Sequence, residues 1–315
     1  NYTAREFGVR SCLSILFAKQ KLKSRADSAF LPADFEYYSE MSEKSMNIIE
    51  KFADVFEYVG RDEAYLDVSR KAEQDFTKAA HIAQQIKNEI REKTKLTCSI
   101  GISPNKLLSK IASDYKKPDG LTTITPDKIS EFIETLNLGD IHGIGKKTVE
   151  KLAEEGIETI SQAKNLDIFI LINMFGRKAG TYIHNAIRGI DDEPVKIRAP
   201  TLQLSKITTL KEDSIDYAFL EKSLFELCEK LHVSILKENK MFRSIGISLT
   251  QTNLSGKTRS RMLRNPTLSL EELKKVSGQL LKEVLEEQSI LIRRLGVKVS
   301  ELSDIEGQSN ITSYF

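Results

Sequence analysis

The 315-residue sequence predicts an α+β protein built from more than one domain. Three observations carry this. Strand, helix and strand patterns follow one another up to residue 102, and a helical stretch runs from about Pro126 to Gly189. Strands and helices then alternate again beyond a composition break at residues 191–200.

Taken in order, residues 1–31 are mixed and close at Phe30-Leu31-Pro32. Ser42 to Phe56 reads as a helix, because Met46, Ile49, Phe52 and Ala53 recur at spacings of three and four. An acidic hairpin follows, with Val55-Phe56-Glu57-Tyr58-Val59 before a bend at Gly60 and Ala64-Tyr65-Leu66 after it. Residues 72–93 give the clearest helix, with Ala79, Ile82, Ala83, Ile86 and Ile90 on one face. Thr97 to Ile102 alternates as a short strand, which suggests a layer with the acidic hairpin at one sheet edge. Leu107, Leu108, Ile111 and Ala112 mark another buried helix face, and Lys117-Pro118-Asp119-Gly120 is a turn. The break at Asp191-Asp192-Glu193-Pro194 and Pro200 reads as an interdomain linker. Beyond it, strands are expected over Gln203–Thr209, Arg243–Gln251 and Arg293–Ser300, and helices over Ile215–Lys237 and Leu270–Glu286. The polar stretch from Ser303 to Phe315 reads as a flexible tail.

Composition bounds the function. Hydrophobic residues make up 40% and charged residues 29%, the balance of a soluble globular protein. No apolar run approaches the ~20 residues that span a bilayer. Cys12, Cys98 and Cys228 are far apart, so a zinc site or disulfide framework is not expected, and a reducing, cytoplasmic setting fits. Four scattered histidines give no support to a hydrolase triad. The first residue is Asn1, and its surroundings read as the interior of a longer protein. The net charge of +2 hides an asymmetry: residues 196–300 hold 19 Lys and Arg against 12 Asp and Glu, and the remainder holds 28 against 33. Lys257, Arg259, Arg261 and Arg264 fall in a stretch without acids, which is either a polyanion-binding face or a solvated surface.

Four segments could carry chemistry. Asp62 and Glu63 are adjacent carboxylates at a bend, either an acidic turn or ligands for a hard cation such as Mg²⁺. Gly143-Ile144-Gly145-Lys146-Lys147 opens a helix, where free backbone N–H groups and the helix dipole suit a phosphate. It resembles the helix-hairpin-helix element that grips a DNA backbone without reading bases. Lys117 beside its turn is either a surface lysine or a point charge for phosphate. The terminal Gln308, Ile311, Tyr314 and Phe315 would put three large apolar groups on one face of a helical turn, fit for a partner's pocket or for folding back.

Together these segments resemble a Y-family translesion DNA polymerase of the DinB (polymerase IV) type, of archaeal kind given the terminal box. The most specific motifs are Asn1-Tyr2-x-Ala4-Arg5-x-Phe7-Gly8-Val9, Asp62-Glu63-Ala64-Tyr65-Leu66-Asp67, Asn105-Lys106 through Gly120, and Arg293-Arg294-Leu295-Gly296-Val297. The resemblance spans essentially the whole chain. It implies a multidomain right-hand polymerase: partial fingers at 1–31, most of the palm at 32–125, and a helix-hairpin-helix thumb at 126–190. A linker at 191–200, a little finger at 201–302 and a clamp-binding tail at 303–315 follow.

By the same resemblance, Asp62 and Glu63 hold two Mg²⁺ ions, and Tyr2, Arg5 and Lys117 hold the incoming nucleotide's triphosphate. Primer-template DNA, a deoxynucleoside triphosphate and a PCNA-like sliding clamp are the implied partners of a monomeric enzyme. Two departures stand out. The family's N-terminal Asp-x-Asp segment, a further metal ligand with its ribonucleotide-excluding neighbour, is absent, so these 315 residues are expected to be inactive in primer extension. Gly60-Arg61 stands where the family has Ser and an apolar residue. The rival readings are a non-catalytic clamp adaptor and a helix-hairpin-helix glycosylase or nuclease.

Overall fold

A computed structural model describes residues 1–197, 201–287 and 291–305. The chain divides into two compact units, Asn1–Arg198 and Ala199–Phe315. The terminal box, with Gln308, Ile311, Tyr314 and Phe315, lies outside the described residues.

The first unit opens with short helices α1 (Tyr2–Glu6) and α2 (Ile15–Lys21), then the long α3 (Phe35–Glu50). Helix α3 starts seven residues before the expected Ser42, because the Asp34 carboxylate accepts from the Tyr37 N–H and caps it. It ends at Glu50 rather than Phe56. Strands β1 (Val55–Gly60) and β2 (Glu63–Asp67) pair antiparallel as the acidic hairpin. Helix α4 (Phe76–Thr94) is capped by Asp75, whose side chain accepts from Thr77 and Lys78 N–H groups. Strand β3 (Ile100–Ile102), helix α5 (Lys106–Tyr115) and strand β4 (Leu121–Thr123) form a parallel crossover unit. Gly101 permits it: a Cβ there would lie 2.1 Å from the Ser109 carbonyl oxygen.

The helical region follows: α6 (Ile129–Glu134), α7 (Lys146–Glu154), α8 (Ile160–Lys164), α9 (Ile168–Phe175) and α10 (Arg177–Ala186). Its core also takes in Leu107, Leu108, Ile111 and Ala112 of α5. Ile48, Ile86 and Ile90 nucleate a second, smaller core between α3, α4 and the strands.

One buried charge organises the turn after α5. Lys87 on α4 is 8% exposed, and its ammonium donates to Cys98 O (2.7 Å), Asp119 O (2.9 Å) and Asp119 Oδ1 (2.5 Å). An unpaired ammonium at that depth costs several kcal/mol. These acceptors, with Gly120 O a fourth at 3.4 Å, occupy its three donors and offset that cost.

The second unit is a four-stranded antiparallel sheet in the order β5-β8-β6-β7, with two helices on one face. Its elements are β5 (Gln203–Ser214), α11 (Tyr217–Lys237), β6 (Lys240–Gln251), β7 (Gly256–Thr267), α12 (Leu270–Glu287) and β8 (Ile292–Asp304). Ile245, Ile247 and Leu249 of β6 and Leu295, Val297 and Val299 of β8 point into the helix-side core. Strand β7 is the basic stretch, which has no hydrophobic alternation to announce a strand. It occupies a sheet edge, where charges and Pro266 are tolerated. Among the described residues no helix is long and apolar enough to cross a membrane.

Candidate polymerase site and nucleic-acid interface

The hairpin places Asp62 in its turn and Glu63 at the first position of β2, opposite Gly60. Both carboxylates border a cleft of about 870 Å³ that Tyr2, Lys110 and Lys117 also border. Arg5 does not border that cleft; its guanidinium lies 5.6 Å from the Tyr2 ring centre.

Charges of alternating sign link the hairpin to the turn after α5. Glu63 accepts from Lys110, Lys110 lies 3.5 Å from Asp114, and Asp114 accepts from Lys117 at 2.5 Å. The Asp114 carboxyl is below its usual range: burial pushes it up, and the bonds and charges of Lys117 and Lys110 outweigh that. Lys106 is a parallel device, 11% exposed, donating to both Glu57 oxygens at 2.8 and 2.9 Å. Sequence reasoning missed Lys110 as a site residue. The spacing of 110, 114 and 117, one helix face carried into the turn, was the available signal.

Among the described residues no three His, Cys, Asp or Glu side chains gather into a metal cage. Two adjacent carboxylates on a bend do suit Mg²⁺, which takes one or two carboxylates and completes its shell with water and substrate phosphates. Arg61 does not join them; its guanidinium lies 5.6 Å from the Phe35 ring centre.

The glycine-rich turn is built to expose backbone. Gly143 has φ +85°, and a Cβ there would meet the Tyr182 ring at 2.7 Å. The Tyr182 hydroxyl donates to the His142 carbonyl and closes the turn from behind. Gly145 is the N-cap of α7 and supplies no side-chain cap; the Thr148 N–H donates to the Gly145 carbonyl at 2.9 Å, which leaves the first two amides, those of Lys146 and Lys147, without a partner inside the helix. Lys146 is 89% exposed at its side chain.

In the second unit the basic residues divide between two faces. Lys257, Arg259 and Arg261 pair with Leu249, Ile247 and Ile245, so they share the helix side of the sheet. Arg259 donates to Glu287 at 2.7 Å, and Arg261 donates to Gln279 at 2.6 Å and to Glu283. Arg264 is exposed, in the register shift between the Met262–Ser244 and Thr267–Phe242 pairs.

The opposite face is open. It presents Ser205, Ile207 and Thr209 of β5, Arg294, Gly296, Lys298 and Ser300 of β8, and Ser244, Gly246, Ser248 and Thr250 of β6. Thr258 and Ser260 of β7 continue it. The Lys298 stem lies across Gly246, and Arg294 donates to Thr209 Oγ1 at 3.3 Å. Gly296 leaves room for the Ser248 hydroxyl, which a Cβ would meet at 2.4 Å. Hydroxyls, glycines and two cations on a shallow surface suit a phosphate backbone.

The chain is similar to known proteins along its whole length. The profile of the impB/mucB/samB family matches residues 1–114, and that of the same family's C-terminal domain matches residues 202–312. A third, described as the DNA polymerase-iota thumb domain, matches residues 139–191. DNA polymerase IV of Nitrosopumilus maritimus is 63% identical over all 315 residues, which span 86% of that relative. DNA polymerase IV 1 of Methanosarcina mazei is 39% identical over the whole chain and 87% of its own length. Among solved structures, a Y-family DNA polymerase chimera, Dbh-Dpo4(243-245)-Dbh, matches 96% of the chain and 86% of its own, with 28% identity and a TM-score of 0.87. The insertion ternary complex of Dbh DNA polymerase covers the same shares, with 28% identity and a TM-score of 0.68.

Proposed function

The chain belongs to the impB/mucB/samB family and is a Y-family, translesion-type DNA-directed DNA polymerase of the polymerase IV group, and we propose on that footing how its residues divide the work. Asp62 and Glu63 hold the divalent ions, Mg²⁺ by their oxygen chemistry. Tyr2, Arg5 and Lys117 hold the triphosphate of the incoming deoxynucleotide. Two bound Mg²⁺ ions would supply charge neutralisation at the α-phosphate and pyrophosphate and ease deprotonation of the primer 3′-hydroxyl. The protein's own share is positioning. What supports this assignment is that Asp62, Glu63, Tyr2 and Lys117 border one cleft.

The domain assignment belongs to the same proposal: fingers at 1–31, palm at 32–125, thumb at 126–190 and little finger at 201–302. The exposed amides of α7 with Gly143, Gly145, Lys146 and Lys147 grip the primer-template duplex from the thumb. In the little finger the open sheet face carries the backbone contact. Lys257, Arg259, Arg261 and Arg264 at the edge add long-range attraction, because three are turned to the helix side and two of these are engaged by acids. No base-specific reader is needed, since the template supplies the sequence. The terminal box tethers a monomeric enzyme to a PCNA-like clamp.

Single Asp62→Ala and Glu63→Ala substitutions in the full-length protein test the assignment. Each should reduce nucleotide incorporation by at least ~10³-fold, on the scale of lost charge stabilisation, while DNA affinity stays within about twofold. Incorporation at wild-type rates would overturn it.

A further inference from the structure

The Lys117–Gly120 turn is held at its far end with unusual completeness. Lys87 takes both the carbonyl and one carboxylate oxygen of Asp119, and Arg91, one helical turn on, takes the other carboxylate oxygen. The next residue is fixed twice more: the Gly120 N–H donates to Ser99 Oγ at 3.0 Å, and its carbonyl accepts from Ile100 N at 3.0 Å. A Cβ at Gly120 would stand 2.4 Å from the Lys116 carbonyl oxygen, so the turn folds tightly on itself. Asp119 holds φ +55°, a left-handed conformation that persists in a non-glycine residue only when its surroundings impose it. Lys117, two residues back, has a side chain 42% exposed that pairs with Asp114 at 2.5 Å.

Packing alone does not call for this arrangement. Ala83, Ile86 and Ile90 already seat α4, and an apolar side chain of similar volume could fill the place of Lys87. An ion pair adds direction, which an apolar contact lacks. The acceptors of Lys87 lie on the turn itself and on Cys98 of the adjoining segment.

We propose that Lys87 and Arg91 are positioning residues for the incoming nucleotide, acting through Asp119 to fix the turn that presents Lys117 to the triphosphate. This rests on the reading of Lys117 as a triphosphate ligand. The geometry assigns the placement of the turn to α4, a helix that itself touches no substrate in the proposed site, while the Lys117 ammonium rests on Asp114 of α5. Loosening the clamp therefore weakens nucleotide binding and leaves the chemical step and the overall fold in place.

The test uses the full-length polymerase with primer-template and one complementary deoxynucleotide. Asp119→Asn keeps the left-handed tendency and the shape but removes the charge. It should raise the nucleotide KM and Kd roughly 5- to 10-fold, the size of one weakened charged hydrogen bond, with kcat nearly unchanged; Tm falls, because the buried Lys87 loses its counter-charge, and the assay is run well below it. Lys117→Ala should raise the same constants by itself, and the double variant should be no worse than Lys117→Ala. If Lys117→Ala leaves KM unchanged, the triphosphate reading fails and the inference with it. If Lys117→Ala acts but Asp119→Asn does not, or the two penalties multiply, Lys117 stands and the positioning role is overturned. Lys87→Met serves as a second variant, expected to match Asp119→Asn in KM; an unchanged KM in a folded Lys87→Met protein refutes the role of Lys87.

Discussion

Three cysteines occupy three environments, and their thiols are accordingly unequal. Cys12 is exposed. Cys98 is half-buried beside the Lys87 network, and burial pushes its thiol up. Cys228 is fully buried on α11, and burial pushes it up to about 11. The thiolate is the nucleophile, so a raised pKa and lost access act in the same direction. A maleimide at pH 7.5 should label Cys12 within minutes, label Cys98 slowly and reach Cys228 only in denaturant. Peptide mapping of the alkylated native protein checks this, and rapid native labelling of Cys228 would contradict the packing of that core. At the same scale, Asp62 and Glu63 were legible in the sequence as adjacent acids at a bend. The bond of Lys110 to Glu63 and that of Lys87 to Asp119 were not, because those partners lie 47 and 32 residues away; only the short-range pairing of Lys110 with Asp114 left a signal in the spacing.

The open face of the second unit's sheet makes the element-scale claim. Lys298→Ala and Arg294→Ala should each lower DNA affinity and reduce the slope of log K against log salt by about one. Arg259→Ala and Arg261→Ala should change the slope less, since Glu287 and Glu283 already neutralise those guanidinium groups. Fluorescence anisotropy over a salt series measures both, and equal slopes for the two pairs would reject the division of faces. Helices α4, α11 and α12 could be read from apolar periodicity because each buries one stripe. Strand β7 could not, since an edge strand with serines on one side and paired arginines on the other shows no alternation of hydrophobicity. The division of the basic residues between faces needed the register, which composition does not contain.

Across the whole molecule, two units have separate cores. Leu220, Leu224, Leu231 and Phe242 belong to one core, and Leu108, Ile133 and Leu152 to another. The break between units falls in the segment where Asp and Glu give way to Lys, Arg and Pro, which composition alone displays. The proposed clamp tether belongs to this scale, because it would act on residence at the primer end rather than on chemistry. Deleting residues 308–315 should abolish stimulation by a PCNA-like clamp and leave distributive synthesis unchanged. Equal stimulation after the deletion would refute the tether.

The helical region leaves from strand β4 and comes back to the start of α5. On return the Gly189 carbonyl accepts from Asn105 Nδ2 at 2.8 Å while Asp191 accepts from the Leu107 N–H at 2.9 Å. Both fastenings grip the first turn of the helix that carries Lys106 and Lys110. In mechanical terms the region is a handle with one foot set in the β3-β4 pair and the other bolted twice to the beam between those strands. In the proposed duplex grip, a pull on Gly143–Lys147 would be carried back into α5 and reach the carboxylate hairpin through the Lys110–Glu63 bond. Helices inserted into or trimmed from the handle change its reach, while the two bolts keep the beam in register.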